Sequence, residues 1–224
     1  MPALLMDLDG TIADTLPHLF ASFRDAVAPF VARMPTDAEI IASFGPPERD
    51  CIMQILYECN DTTRTVVPQD LDRAVRRFHD YYECRHDAVH AFPGIPEVIQ
   101  LARKRKWRFG VQTGKGRRSA VFTLERLRLR RETEYLVTGD DVRNHKPDPE
   151  GVKKALAEFQ LPPSELLVVG DTPADVEAGT AAGAKTAAAL WGAFDRDAVR
   201  QAGGTWVLEK VEDLQTVIEQ WGKK

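Results

Sequence analysis

The chain has 224 residues, 43% of them hydrophobic and 29% charged, and a formal net charge of -4. That length allows one domain or two modest ones, and the composition is that of a soluble globular protein with material for a sizeable core. The mild negative balance gives no reason to expect nucleic acid or a membrane surface as a partner, and no stretch nears the roughly 20 apolar residues that span a bilayer. Three cysteines (Cys51, Cys59 and Cys84) stand without zinc-type spacing, and no basic-then-apolar leader opens the sequence. These features predict free thiols and a reducing, cytoplasmic setting.

The first predicted element is the apolar run Leu4-Leu5-Met6. A strand covered on both faces reads as continuous hydrophobics, so this run predicts a buried parallel strand. Asp7, Asp9 and Gly10 follow, and Gly10 allows a sharp exit. Asp14 and Thr15 predict a helix cap, and Leu19, Phe20, Phe23, Val27 and Phe30 recur at helical spacing over 16–32. Thr36 opens a short second helix, and Gly45-Pro46-Pro47 breaks the chain. Ile52, Ile55 and Leu56 mark a third helix, 60–68 reads as a polar turn, and Leu71, Val75, Phe78 and Tyr82 mark a fourth. Residues 16–90 therefore read as all helix, and they contain eight arginines and no lysine.

From Phe92-Pro93-Gly94 the pattern alternates. Strands are predicted at 108–113, 135–138, 166–169, 185–190 and 205–208. Helices are predicted from Ile95, at 119–129, 149–159, 173–182, 195–202 and 211–221. Alternation of this kind implies right-handed crossovers and a doubly wound parallel α/β sheet. The expected organisation is an α/β core of residues 1–15 and 91–224, with a helical insert of residues 16–90 after the first strand.

Ligands of such sheets bind beyond the carboxyl ends of the strands. Four predicted strands end in polar groups. The first ends in Asp7 and Asp9, placed to hold a divalent cation or to act as nucleophile and acid, or simply leading the strand into a polar Asp-Gly turn. The second ends in Thr113-Gly114-Lys115, whose hydroxyl and free backbone N–H groups suit a phosphate, or which simply caps the next helix. Lys146 precedes Pro147 in an extended loop, with Asp148 as helix cap and Pro149 at the first helical position. The fourth is Gly170-Asp171-Thr172-Pro173-Ala174-Asp175, in which Thr172 and Asp175 form a capping box that leaves Asp171 unexplained.

Together these residues resemble the haloacid dehalogenase superfamily, and within it the phosphatases with a helical cap inserted after the first strand of a Rossmann-like core. Asp7-Leu8-Asp9-Gly10-Thr11 resembles the first family motif, Thr113 the second, Lys146 the third and the run 170–175 the fourth. The resemblance implies that Asp7 is the nucleophile, that Asp9 is the acid and then the base, and that Thr113, Gly114 and Lys146 hold the phosphoryl group. Thr11, in the first motif, is expected among the substrate contacts. It also implies Mg²⁺ on Asp7, the Asp9 carbonyl and Asp171, supported by Asp175. Phe44-Gly45-Pro46-Pro47 and Ala189-Leu190-Trp191-Gly192 are similar to the phosphoglycolate phosphatase and pyrophosphatase branch. The implied activity is hydrolysis of a small phosphorylated metabolite, with phosphoglycolate favoured over pyrophosphate and nucleotides, by a monomer or homodimer. A sugar-phosphate mutase and a silent binding module are the alternatives, and the intact set Asp7, Asp9, Thr113, Lys146 and Asp171 argues against silence.

In the insert, Arg49 is the candidate anchor for a substrate carboxylate, against surface pairing with Glu48 and Asp50. His18 reads as solvent-facing. The basic runs 103–106 and 126–131 read as solvated faces near helix ends, and Trp191 and Trp221 as packing residues.

Overall fold

The computed structural model describes residues 1–60 and 66–222, so part of the predicted turn at 60–68 lies outside the described residues. Strand β1 (Ala3–Met6) is followed by a short strand β2 (Ala13–Asp14), which pairs antiparallel with β3 (His90–Ala91). Strands β4 (Arg108–Gln112), β5 (Tyr135–Val137), β6 (Leu166–Gly170), β7 (Lys185–Ala189) and β8 (Trp206–Leu208) join β1 in one sheet. Its order is β5-β4-β1-β6-β7-β8, and every neighbouring pair is parallel.

Strand β1 is central, and all four of its residues are fully buried. The pleat sends Leu4 and Met6 to one face and Ala3 and Leu5 to the other. The first face packs against Val98 and Ile99 of α5 (Ile95–Lys104), Ala120 and Leu124 of α6 (Arg117–Arg126), and Leu214 and Ile218 of α10 (Val211–Gln220). The second packs against Val152, Leu156 and Phe159 of α7 (Glu150–Phe159) and Ala178 of α8 (Pro173–Ala181). Helix α9 (Arg196–Ala202) adds Val199 beside Val176 and Ala188. Cover on both faces is why β1 has no polar residue. Burying each of Leu4, Leu5 and Met6 contributes roughly 1.5–3 kcal/mol.

Four helices, α1 (Leu16–Val27), α2 (Asp37–Ala42), α3 (Glu48–Glu58) and α4 (Pro68–Cys84), gather around a separate cluster that includes Phe23, Ile52, Ile55, Phe78 and Tyr82. Phe23 and Phe78 meet with ring centroids 4.8 Å apart. Helix α1 ends at Val27, short of the expected residue 32, because Pro29 has no N–H to continue the ladder. Helix α2 starts at a capping box between Thr36 and Glu39. Strands β2 and β3, each two residues long, form the ribbon through which the chain leaves and re-enters the sheet layer. Their length is below the reach of sequence periodicity. Among the described residues, no helix is long and apolar enough to cross a membrane.

Candidate active site

A cavity of about 450 Å³ lies between the carboxyl ends of β1, β4 and β6 and the helical insert. Asp7, Asp9, Thr113, Gly114, Lys146 and Asp171 all line it. Asp7 follows β1 directly, and its N–H donates to the Val169 carbonyl at 2.9 Å, continuing the ladder by one residue. Lys146 Nζ donates to Asp7 Oδ1 and to Asp175 Oδ1, each at 2.6 Å. Burial pushes the Asp7 carboxyl up to about 7; Lys146 opposes this, and Asp175 and Asp9 reinforce it. Burial also raises Asp171 well above the usual carboxylate range, with Asp7 and Asp175 adding to it.

Gly10 turns the chain at φ 77, and a Cβ there would fall 2.1 Å from Asp171 Oδ2. Glycine is therefore required twice over, by backbone angle and by space. The fully buried Thr11 donates its hydroxyl to Asp171 Oδ1 at 2.7 Å, and its carbonyl accepts the Trp191 indole N–H at 2.9 Å. Thr11, expected among the substrate contacts, thus orients a carboxylate, and it is not among the residues that line the cavity. Trp191 also does more than pack. The capping box forms as expected: the Thr172 N–H donates to Asp175 Oδ2 at 3.1 Å, and the Asp175 N–H donates back to the Thr172 hydroxyl at 3.3 Å. Asp175 thus divides its oxygens between the cap and Lys146.

Asp9 is held from two sides. The Thr15 hydroxyl donates to its Oδ1 at 2.6 Å, and Lys115 Nζ lies 3.2 Å from its Oδ2. Thr15 occupies the N-cap position of α1, but its side chain makes no capping bond, because the hydroxyl is spent on Asp9. Thr113 likewise caps no helix. Helix α6 begins at Arg117 after Gly116, and the Thr113 hydroxyl accepts the Lys115 N–H at 3.2 Å. Helix α7 begins at Glu150, one residue later than expected, and Asp148 accepts the Glu150 N–H at 2.8 Å.

Lys115 and Glu48 belong to this site although the sequence did not single them out. The Lys115 side chain is 2% exposed, with Nζ 4.7 Å from the centroid of the Tyr82 ring. Burial alone would discharge it, but Asp9, Tyr82 and Glu48 hold its proton more tightly than usual. Glu48, the first residue of α3, sends Oε2 to the Gly116 N–H at 2.9 Å. A Cβ on Gly114 would lie 2.5 Å from the Gly45 carbonyl, so the insert meets the phosphate-type loop backbone to backbone.

Arg49 does not join them. It pairs with Asp72 at 2.8 Å on the outer surface, with half its side chain exposed. Successive helical residues point about 100° apart, so Glu48 facing inward turns Arg49 outward. His18 is buried rather than solvent-facing, and its Nε2 bonds the Tyr82 carbonyl at 2.9 Å. Burial pushes the Cys51 thiol in the cavity wall up to about 12.

The donor set fits a hard divalent cation. Carboxylate oxygens of Asp7, Asp171 and Asp175 all lie within 4.8 Å of one another, and all three residues are buried. Mg²⁺ takes oxygen ligands at about 2.0–2.1 Å, and one ammonium among three buried carboxylates leaves a negative excess for it to balance.

A sequence profile described as haloacid dehalogenase-like hydrolase matches residues 4–189. The pyrophosphatase PpaX of Anoxybacillus flavithermus is 30% identical over 216 residues, 96% of this chain and 95% of that protein. The crystal structure of a hydrolase from Pseudomonas syringae is similar with a TM-score of 0.80 at 25% identity, covering 99% of both chains. A structure from Haemophilus somnus, described as a predicted phosphoglycolate phosphatase, shares the fold with a TM-score of 0.86 at 20% identity over 97% of each chain.

Proposed function

The chain belongs to the haloacid dehalogenase-like hydrolases, and from that premise we propose that it is a phosphatase releasing phosphate from a small phosphorylated metabolite through an aspartyl-phosphate on Asp7. The observation that carries this reading is the pair Asp7 and Asp9 on one cavity, each with its own lysine: Lys146 at 2.6 Å from Asp7 and Lys115 at 3.2 Å from Asp9.

Asp7 attacks phosphorus with the oxygen that Lys146 leaves free, and an Asp7 O–P bond forms as the bond to the leaving oxygen breaks. Asp9 takes up a proton as the ester binds and gives it to that leaving oxygen. It then takes a proton from water as water attacks phosphorus and frees the Asp7 carboxylate. Lys146, the Thr113 hydroxyl and the Gly114 N–H offset the negative charge on the equatorial oxygens. Asp7, Asp171 and the Asp9 carbonyl would hold Mg²⁺, with Asp175 in support, and the ion supplies further positive charge against those oxygens when bound.

The test is phosphate release from a panel of phosphoglycolate, pyrophosphate, nucleoside monophosphates and sugar phosphates, with Mg²⁺ and with a chelator. Asp7→Asn is expected to abolish metal-dependent release while circular dichroism stays native. Release that survives in Asp7→Asn sinks the aspartyl-phosphate. A folded wild-type chain that releases nothing from any ester sinks the phosphatase reading.

A further inference from the structure

The leaving group must lie on the insert side of the cavity, because the strand ends hold the phosphoryl group and its cation. The walls there are apolar: Leu16, Leu19, Phe23 and Phe44 line that half. Of the described lining residues from the insert, Glu48 alone is charged. None of the insert's arginines is among them. Arg24, Arg33, Arg49 and Arg77 are held by Asp37, Glu39, Asp72 and Asp25 on the outer surface.

The other places where a second anion could settle are already taken. The N-terminus of α6 opens beside the loop 113–116, where helix amides would welcome an anion. The chain's own carboxylates occupy it: Glu48 accepts the Gly116 N–H at 2.9 Å, and Asp140 accepts the Arg117 N–H at 2.7 Å. Lys115 is engaged by Asp9 and Lys146 by Asp7 and Asp175. At the rim, Glu177 and Asp195 add two further carboxylates. Glu48 itself is 6% exposed, and its Oε1 has no hydrogen-bond partner among the described residues. A buried acceptor in that state calls for a donor. The cavity volume of about 450 Å³ falls within the roughly 300–1,000 Å³ range of organic-ligand pockets.

We propose that Glu48 sets the substrate class, selecting phosphate monoesters whose alcohol carries a hydrogen-bond donor, an ammonium above all, on an apolar body, and rejecting esters with a second anion. This rests on the phosphatase reading above. A carboxylate or second phosphate on the leaving group would meet the Glu48 charge in a site whose described residues offer no free cation, whereas an ammonium would satisfy Oε1.

The experiment compares kcat/KM for O-phosphoethanolamine and phosphoglycolate, two-carbon esters of opposite end charge, with Mg²⁺ present and with p-nitrophenyl phosphate as the reference ester. Wild type is expected to favour the ammonium ester by at least about tenfold, the scale of one like-charge repulsion weakened by solvent. Glu48→Gln keeps the shape and an acceptor for Gly116, and should bring that ratio down towards one by raising phosphoglycolate turnover; thermal unfolding checks its fold. If wild type cleaves the reference ester but treats the two test esters alike, prefers phosphoglycolate, or fails to turn over the ammonium ester, this proposal is overturned and the phosphatase reading stands. An unchanged ratio in folded Glu48→Gln overturns the assignment to Glu48. No cleavage of any of the three esters, nor of the wider panel, by the folded wild type removes both.

Discussion

The core wall of the cavity and the insert wall are built from different materials. On the core side, the groups at strand ends are charged or hydroxylic and tied to fixed partners: Asp7 to Lys146, Asp9 to Thr15 and Lys115, and Asp171 to Thr11. On the insert side the wall is hydrocarbon broken by one carboxylate, Glu48. The core wall has partners fixed by rigid parallel strands, so it can hold charges at bonding distance before substrate arrives, which is what stabilisation of a phosphoryl transition state requires. The insert wall has little to offer a transition state and much to offer a leaving group. On the function proposed above, chemistry and choice of substrate therefore reside in different layers.

The sharpest way to break that division is at Lys146. Replacing it with Met should lower kcat by about 10²–10³-fold, the usual loss for one preorganised charge donor. It should leave the preference between leaving groups unchanged, because Lys146 faces only the phosphoryl end. Steady-state kinetics on two esters reads both quantities, and a shift in preference equal to the loss of rate would mean the walls are not separate. Lys115 tests the seam. It touches Asp9 of the core and Tyr82 of the insert, so Lys115→Met strips a part-buried carboxylate of its counter-ion and should cost about 1.5–3 kcal/mol in urea unfolding. A loss below about 1 kcal/mol would show the seam to be solvated.

A smaller effect concerns the end of the insert where it packs on α6. His86 is buried among Tyr82, His18 and Phe122, and burial lowers its pKa to about 4 from the ordinary 6.5. The unfolded chain takes the proton first, so the contribution of His86 is intact above about pH 6.5 and is lost as pH falls towards 4. His86→Phe should flatten part of the fall in Tm across that window, and an unaltered pH profile would place the acid sensitivity elsewhere. Smallest of all is Arg49→Ala. An exposed pair with Asp72 is worth at most about 1 kcal/mol, and kcat/KM should not move. A tenfold rise in KM for any ester would return Arg49 to the cavity.

What could be read in advance followed the same division. Leu4-Leu5-Met6 announced a strand covered on both faces, and the polar residues after each core strand had one place to go, the carboxyl edge of the sheet. The Thr172 and Asp175 box was a local pattern and formed as such. Lys115 was not legible, because its surroundings are assembled from Asp9, Tyr82 and Glu48, far apart in the chain. Thr15 looked like a cap because a hydroxyl before a helix usually is one, and only the return of Asp9 gave it a better partner. Glu48 and Arg49 are one helical step apart; carrying the period of Ile52, Ile55 and Leu56 back one turn sets Glu48 inward and Arg49 outward, but only once α3 is known to begin at Glu48, immediately after Pro47.

The ribbon of β2 and β3 has a consequence for how such a chain can change. Ala13 stands across from Ala91, and Asp14 from His90. The two ends of the insert therefore meet as neighbours, and a two-residue turn would close the gap if everything between them were excised. The helices are thus carried as a cassette, spliced into the chain at a single point. Exchanging one cassette for another leaves each strand of the sheet in register, but Lys115 then loses Tyr82 and Glu48, so a new cassette has to bring partners for that buried ammonium along with its own wall for the leaving group.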